Sequence, residues 1–239
     1  MKRILFIFLL CTIFGASQAQ IIRASANARA IVDADVDITT GLVAYWACEN
    51  TTDAIGANEA TNTGVTYAAG KVSNCWVYDG GTDVMTLSTT NDLNLQEITI
   101  SLWFQTNYYY SFFTNTATAK GWTLELNGNT KVKFVFNQSP YPAVYSNSDL
   151  RSTTVWHHCV ITYDGTTIKM YIDGTLQTDT ETFTTDISYT GVVPLIGDGA
   201  TGNLVGKLDE ISVYNYAITQ AAVTKIYNSG NAITYPTNY

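Results

Sequence analysis

The chain has 239 residues, of which 46% are hydrophobic and 13% are charged, and its formal net charge is −8. The apolar share is enough for a packed core, and so low a content of charge argues against intrinsic disorder. Because an acidic surface repels phosphate backbones and anionic lipid headgroups, we expect neither nucleic acid nor a membrane surface among the partners.

The first residues have the features of a secretory signal peptide. Lys2 and Arg3 give a basic start, residues 4–14 are apolar, and Ser17 and Ala19 are small residues before a cleavage site after position 19. The apolar stretch is too short for a membrane span, with an uncleaved anchor as the alternative. No later apolar run approaches membrane-spanning length, so we expect no membrane insertion and a secreted protein, extracellular or at the cell surface.

The rest of the chain divides into a leader and one domain. Residues 20–40 are rich in Ala with scattered Asp and predict a leader or linker that could add one strand. From Gly41 to the end at Tyr239, short segments with a period of two alternate with turn signals, which is the pattern of an all-β protein. Residues 98–105, 131–136 and 168–173 show this alternation and place one apolar row on one face of a sheet.

Hairpin turns are predicted at Asn127-Gly128, Asp164-Gly165 and Asp173-Gly174, because these dipeptides supply the positive φ that tight turns need. Only four prolines occur in the chain, which permits a high strand content. Two sheets must bury their apolar rows against each other, and about a dozen strands in about 200 residues fit a jelly roll better than an immunoglobulin fold. The predicted fold class is therefore an all-β, two-sheet antiparallel jelly-roll sandwich.

One short helix is predicted near the C-terminus. Thr219 can cap its start, Val223, Ile226 and Tyr227 fall on one face, and Gly230 can end it.

Three cysteines remain after cleavage, and a secreted chain meets an oxidising compartment. Cys48 and Cys75 fall on two strands predicted to be early and neighbouring, so they are the favoured disulfide pair, which leaves Cys159 as a buried thiol. The alternative is that all three are buried thiols. No Cys-x-x-Cys motif occurs and the two histidines are adjacent, so the spacing of a zinc site is absent.

The chain resembles the laminin G-like, concanavalin A-like lectin jelly rolls from about Gly41 to Ser229. Five segments carry the resemblance, in order: GLVAYWACEN (41–50), GKVSNCWVYDG (70–80), EITISLWFQT (97–106), WHHCVITYDGTTIKMYIDG (156–174) and GKLDEISVYNYAIT (206–219). The resemblance implies the jelly-roll fold with a short helix after the last strand. It also implies a binding role, because members of the family bind sugars or other proteins or act as accessory modules.

Catalysis is not expected. Glycoside hydrolases on this fold carry a Glu-x-Asp-x-Glu strand, whose alternation places carboxylates on one face. The nearest acidic pair here is Asp209-Glu210, and neighbours on a regular strand point to opposite faces. The same geometry separates His157 from His158, and no Gly-x-Ser-x-Gly elbow occurs. A hydrolase would need two carboxylates facing each other across a pocket.

Calcium is the cofactor that the resemblance implies, because related lectin folds often carry it. Calcium takes six to eight oxygen ligands from carboxylates, amides and loop carbonyls. The candidate ligands are acids near predicted strand ends: Glu49, Asp53, Asp79, Asp83, Asp209 and Glu210. Each of them taken alone could equally be a solvated surface acid.

Sugar binding needs aromatic platforms beside side chains that form hydrogen bonds. The candidates are aromatic residues expected to be exposed and one amide: Tyr108, Tyr109, Tyr110, Trp122, Tyr141, Tyr145 and Asn147. The competing explanation is structural, because Tyr is a good strand former and the chain has 16 of them.

The expected function is that of a secreted, non-catalytic module that binds carbohydrate. The alternative is an adhesion, structural or virion-associated surface protein that binds extracellular proteins or assembles with itself, in which residues 20–40 could donate a strand to a neighbour.

Overall fold

The computed structural model describes residues 36–88, 92–128, 130–189, 191, 193–199, 202–233 and 235 of the chain. The predicted signal peptide, 1–19, and most of the predicted leader, 20–40, lie outside the described residues. The compact unit that contains the strands begins at Ile38. Within the described part of the chain, no helix is both long enough and apolar enough to span a membrane.

The described residues form fifteen strands. In chain order they are β1 (Leu42–Trp46), β2 (Ala60–Thr63), β3 (Thr66–Ala69), β4 (Asn74–Asp79), β5 (Val84–Leu87), β6 (Ile98–Thr106), β7 (Ser111–Ala117), β8 (Lys120–Leu126), β9 (Val132–Phe136), β10 (Ala143–Tyr145), β11 (His157–Tyr163), β12 (Thr167–Ile172), β13 (Thr175–Thr182), β14 (Leu195–Ile196) and β15 (Val205–Tyr214).

The strands form two antiparallel sheets that pack as a sandwich. Sheet A has the order β13-β12-β11-β6-β15-β4-β3, and β1 also pairs with β15. Sheet B has the order β10-β9-β8-β7-β14-β5-β2. The predicted apolar rows line the core between the sheets: Ile98, Ile100, Leu102 and Phe104 from β6, and Val132, Phe134 and Phe136 from β9. The prediction of an all-β, two-sheet sandwich is confirmed.

The hairpin between β12 and β13 shows how local sequence sets these connections. Asp173 and Gly174 have φ angles of 49° and 75°, the left-handed conformation that a two-residue hairpin turn requires. The Asp173 carboxylate accepts the His158 N–H at 2.8 Å and lies 2.8 Å from Nδ1 of His157, which ties the turn to the start of β11.

A helix covers part of the outer face of sheet A. Helix α1 (Gln220–Tyr227) begins at the predicted cap, where the Thr219 hydroxyl accepts the Ala222 N–H at 3.2 Å. Val223 is buried, and the Tyr227 ring stacks on Trp103 of β6 with centroids 5.7 Å apart. Thr99, Ser101 and Trp103 on the outer face of β6 are buried, and the C-terminal helix covers Trp103, whereas Gln105 on the same face is only partly buried.

The end of α1 differs from the prediction. Asn228, with a φ of 48°, takes the left-handed position that ends the helix, and a short 3-10 turn over Asn228–Gly230 follows it. Asn tolerates this conformation because its short side chain bonds locally, and Asn228 Nδ2 donates to the Ala232 carbonyl at 2.9 Å.

The predicted Cys48–Cys75 disulfide is wrong, because Cys48, Cys75 and Cys159 are free thiols. Strands β1 and β4 do not pair with each other, since they meet different parts of β15. Cys48 Sγ lies 3.5 Å from the Trp46 carbonyl, and Cys75 Sγ lies 3.6 Å from the Ala69 carbonyl. Burial raises the pKa of all three thiols.

Candidate functional site

The Asp209-Glu210 pair lies at a β-bulge. Asp209 and Ser212 are three positions apart on β15, but their partners on β6 are two positions apart, so β15 carries one extra residue. Glu210 takes a φ of 50° at this point. Its side chain reaches Tyr45 on the outer face of sheet A, the face that also carries Asp209. The expectation that the two carboxyls point to opposite faces is therefore wrong, because the bulge interrupts the alternation.

Both carboxyls are buried. Asp209 is 0% exposed, and its Oδ2 accepts the N–H groups of Lys71 at 2.7 Å and Val72 at 3.0 Å. Burial raises its pKa to about 7 against the lowering effect of these donors. Glu210 is 4% exposed, and its Oε2 accepts the Tyr45 hydroxyl at 2.6 Å. Burial, with a smaller contribution from Asp209, raises the pKa of Glu210 to about 8.

The other predicted calcium ligands serve separate turns and loops, with Asp79 and Asp83 together in one of them. Asp53 accepts N–H groups from Tyr45, Ile55 and Asn58 and closes a loop. Asp83 accepts the Asp79 N–H at 2.8 Å in the turn after β4, and a side-chain hydrogen bond to Asp83 raises the pKa of Asp79.

Glu49 accepts both the backbone N–H and the amide of Asn74. Among the described residues, no group of three or more His, Cys, Asp or Glu side chains is placed to hold a metal ion. The six acids are instead engaged in hydrogen bonds with backbone and side-chain groups of the protein.

The predicted aromatic platforms divide into core and surface. Trp122 is 0% exposed and packs edge-on against Phe113 with centroids 5.0 Å apart, so its predicted exposure is wrong. Tyr110 packs against the core. By contrast, Tyr108 and Tyr109 are each 49% exposed and Tyr141 is 57% exposed.

Ser101 and His158 form a polar pair under α1. Nε2 of His158 lies 2.9 Å from the Ser101 hydroxyl, and the imidazole ring stacks on Trp103. Burial lowers the pKa of His158 to about 3, so the ring is neutral at physiological pH. Both residues are completely buried, so the pair packs inside the protein and is not presented to a substrate.

Two predicted sugar-binding residues do meet in one place. Tyr145 and Asn147 line an open groove of about 490 Å³, which we call the β13 groove. Its walls come from the end of β10, the residue before β9 and the middle of β13, and its lining residues are Lys131, Tyr145, Ser146, Asn147, Thr178 and Asp179.

Hydrogen bonds hold the β13 groove in shape. Asn147 Oδ1 accepts both the backbone N–H and the hydroxyl of Thr178, at 3.2 and 2.8 Å. Asp179 Oδ2 accepts the Tyr145 N–H at 2.9 Å. The Asn147 amide nitrogen, Asp179 Oδ1 and the Lys131 ammonium have no hydrogen bond to any residue in the described part of the chain. The groove therefore offers donors and an acceptor on a fixed frame.

Sequence reasoning missed Lys131, Thr178 and Asp179 as groove residues. Thr178 and Asp179 lie in an irregular part of β13, where its pairing with β12 shifts register, and the approach of edge strand β10 to edge strand β13 brings them beside Tyr145. Lys131 lies there because β9 pairs with β10 within sheet B. No signal in the sequence pairs β10 with β13, because they belong to different sheets.

Residues 79–224 match the Laminin_G_3 family, described as the concanavalin A-like lectin/glucanases superfamily. The match covers more than half of the chain, so the protein belongs to this family. The resemblance to laminin G-like jelly rolls is confirmed. No curated protein matches the sequence significantly.

Solved structures with the same fold are distant in sequence. Domain 4 of AbnA, a GH43 extracellular arabinanase from Geobacillus stearothermophilus solved with arabinotriose, has a TM-score of 0.67 at 20% identity, covering 80% of this chain and 98% of that one. The binding domain of Paraclostridial Mosquitocidal Protein 1 has a TM-score of 0.65 at 16% identity. The receptor binding domain of botulinum neurotoxin C/D mosaic serotype has a TM-score of 0.64 at 14% identity.

The two toxin domains are longer than this protein. Each match covers 80% of this chain and 52% of the toxin domain, so the chain spans about half their length. At these identities the similarity establishes the fold.

Proposed function

We propose that the protein is an exported, non-catalytic carbohydrate-binding module that holds a glycan in the β13 groove. The observation that carries the proposal is the convergence of an amide, a carboxylate and an ammonium beside the Tyr145 side chain in one open groove. Saccharide sites combine such orienting polar groups with an aromatic surface.

The groove chemistry suits sugar hydroxyls. The Asn147 amide nitrogen and the Lys131 ammonium donate hydrogen bonds, and Asp179 Oδ1 accepts them. Asn147 and Asp179 are already fixed by Thr178 and the Tyr145 backbone, so binding costs them little conformational entropy. The groove holds a single carboxylate, so we expect glycan binding there without calcium.

The acidic pair favours binding over hydrolysis. Asp209 is completely buried and Glu210 nearly so, which keeps both away from a polysaccharide. Each carboxyl is also engaged by neighbours, Asp209 by backbone N–H groups and Glu210 by Tyr45. A glycosidase needs two carboxyls flanking an accessible bond.

Two further lines of support come from outside the groove. The predicted signal peptide directs the chain out of the cell. The fold is shared with a domain of an extracellular arabinanase that was solved in complex with arabinotriose.

The test is a glycan array probed with the mature chain, residues 20–239, first with calcium and then with a chelator. We expect hits that persist in chelator and are lost in Asp179→Asn and Lys131→Gln, both of which preserve side-chain size. Asp186→Asn and Lys120→Gln, outside the groove lining, are matched controls for charge. If the hits survive both groove substitutions, the β13 groove is not the glycan site. If the hits require calcium, the site is instead one that uses the predicted acidic ligands.

A blank array under both conditions would exclude carbohydrate binding. The alternative, an adhesion or assembly protein, predicts instead that the full mature chain self-associates through residues 20–40. Light scattering after size-exclusion chromatography, comparing chains that start at Gln20 and at Gly41, measures this. If both chains are monomers at high concentration, assembly through residues 20–40 is excluded.

A further inference from the structure

A second concavity lies at the other side of the β10–β11 connection. This β6 pocket has a volume of about 180 Å³ and forms where β4 and β6 end and β15 begins. Its lining residues include Val77, Gln105, Asn107, Tyr108, Thr153 and Val205. The volume lies below the range of about 300–1,000 Å³ for drug-sized ligands, so it fits one small ring and not an extended chain.

One wall of the β6 pocket carries uncommitted polar groups. The amides of Gln105 and Asn107 and the hydroxyl of Thr153 form no hydrogen bond with any described residue. A side-chain amide both donates and accepts, so it can pair reciprocally with another amide. Thr106 beside them is already engaged, because its hydroxyl donates to the Val205 carbonyl at 2.6 Å.

The same outer face of sheet A also carries apolar side chains at the pocket. Val77 and Val205 come from β4 and β15, and the Tyr108 ring, which is 49% exposed, is a further lining side chain. Gln105, Lys207 and Val77 are cross-strand neighbours on β6, β15 and β4, so the amides and the aliphatic side chains lie side by side. Such a surface is suited to a ligand that carries a methyl group next to an amide.

The lining residues include a single charged side chain. Lys207 donates from Nζ to the Ala69 carbonyl at 3.3 Å, which turns its ammonium toward strand β3. No Asp or Glu lines the pocket. In the β13 groove, by contrast, the carboxylate of Asp179 and the ammonium of Lys131 are both available to a ligand. The lining of the β6 pocket therefore favours an uncharged ligand.

We infer that the β6 pocket is a second ligand site, for a single N-acetylated sugar ring. In this site the acetamido group pairs with the amides of Gln105 and Asn107, its methyl group packs on Val77 and Val205, and the ring lies against Tyr108. The site is separate from the β13 groove, so it does not depend on the function proposed for that groove.

The test is a ¹H–¹⁵N NMR titration of the mature chain with methyl N-acetylglucosaminide and, separately, with methyl glucoside. The two sugars differ in the acetamido group at one carbon. We expect the amide signals of Gln105, Asn107 and Thr153 to shift with the acetylated sugar only. Equal shifts with both sugars, no shift with either, or a stronger response to glucuronate would overturn the inference.

Two variants locate the response. Gln105→Leu and Asn107→Leu replace the two amides with apolar side chains, and we expect each to weaken binding of the acetylated sugar at least about tenfold. Thr182→Val, at an exposed position of edge strand β13 outside both the β6 pocket and the β13 groove, is the control and should leave the titration unchanged. Dispersion of the remaining signals verifies the fold of each variant. An unchanged titration in both pocket variants would overturn the inference even if the wild-type protein binds.

Discussion

The hydroxyl of Tyr45 donates a hydrogen bond of 2.6 Å to Oε2 of Glu210, which lies 165 positions away in the sequence. The contact joins β1 to the bulge of β15. Oε1 of the same carboxyl is buried without a partner in the described part of the chain. Tyr45 is thus the principal polar contact of a buried acidic side chain.

Tyr45→Phe should therefore lower the free energy of unfolding by about 1–3 kcal/mol, because it leaves a buried carboxyl without its donor. Urea denaturation followed by fluorescence measures the change. Tyr67→Phe is the matched control, since Tyr67 is exposed on edge strand β3, and it should be neutral. Equal stability of Tyr45→Phe and the wild-type protein would show that the hydrogen bond contributes nothing.

Stability should also depend on pH through the acidic pair. The pKa values of Asp209 and Glu210 are raised to about 7 and about 8, so the folded state keeps protons that the unfolded state releases above about pH 4. Their contribution is complete below that pH and is lost as pH rises through 7 and 8. The free energy of unfolding should therefore fall as pH rises from about 4 to about 8, and it should level off above about pH 8.5.

Glu210→Gln should make this fall shallower, since the amide cannot ionise. Glu181→Gln, at an exposed position of β13, is the control and should keep the wild-type slope. Denaturant titrations at several pH values measure both. A Glu210→Gln slope identical to wild type would mean that Glu210 does not titrate in this range.

The buried imidazole of His158 should stay neutral at mildly acidic pH. Burial lowers its pKa to about 3, whereas an unfolded histidine titrates near about 6.5. Its stabilising contribution is complete above about pH 6.5 and is lost as pH falls toward 3. The NMR signal of its ring carbon proton should not move between about pH 8 and about pH 5, and titration with an ordinary midpoint would contradict the burial.

Trp122 and Tyr109 should respond very differently to truncation. Trp122→Ala removes a fully buried ring from the core and should cost about 3–5 kcal/mol of unfolding free energy. Tyr109→Ala removes a side chain that is 49% exposed and should stay within about 0.5 kcal/mol of wild type. Thermal and urea denaturation compare the two, and a mild effect of Trp122→Ala would be inconsistent with its burial.

All three cysteines of the mature chain should be thiols. We expect iodoacetamide to alkylate Cys48, Cys75 and Cys159 in denaturant without any reductant, because no disulfide protects them. The native protein should react slowly, since the thiols are buried and their pKa values are raised. Mass spectrometry counts the modified residues. Alkylation that is incomplete in denaturant alone but complete after addition of a reductant would indicate a disulfide.

The sequence by itself determined the strands and their turns. Alternation at Ile98, Ile100 and Leu102 and the positive-φ turn at Asp173-Gly174 depend on local sterics and on which face is apolar. These local features are sufficient for the all-β sandwich, and the segment motifs are sufficient for the family. The cap at Thr219 is equally local, because a side chain there needs only the next turn of backbone.

Only the tertiary structure decided the candidate site. The bulge at Glu210 arises from how β15 pairs with β6, and it moves a carboxyl to the face of Tyr45 against the alternation. Trp122 and Tyr109 are equally aromatic in the sequence, and only packing separates core from surface. The β13 groove forms because edge strands of two different sheets meet, and such contacts between distant segments are set by the whole fold and not by any local pattern.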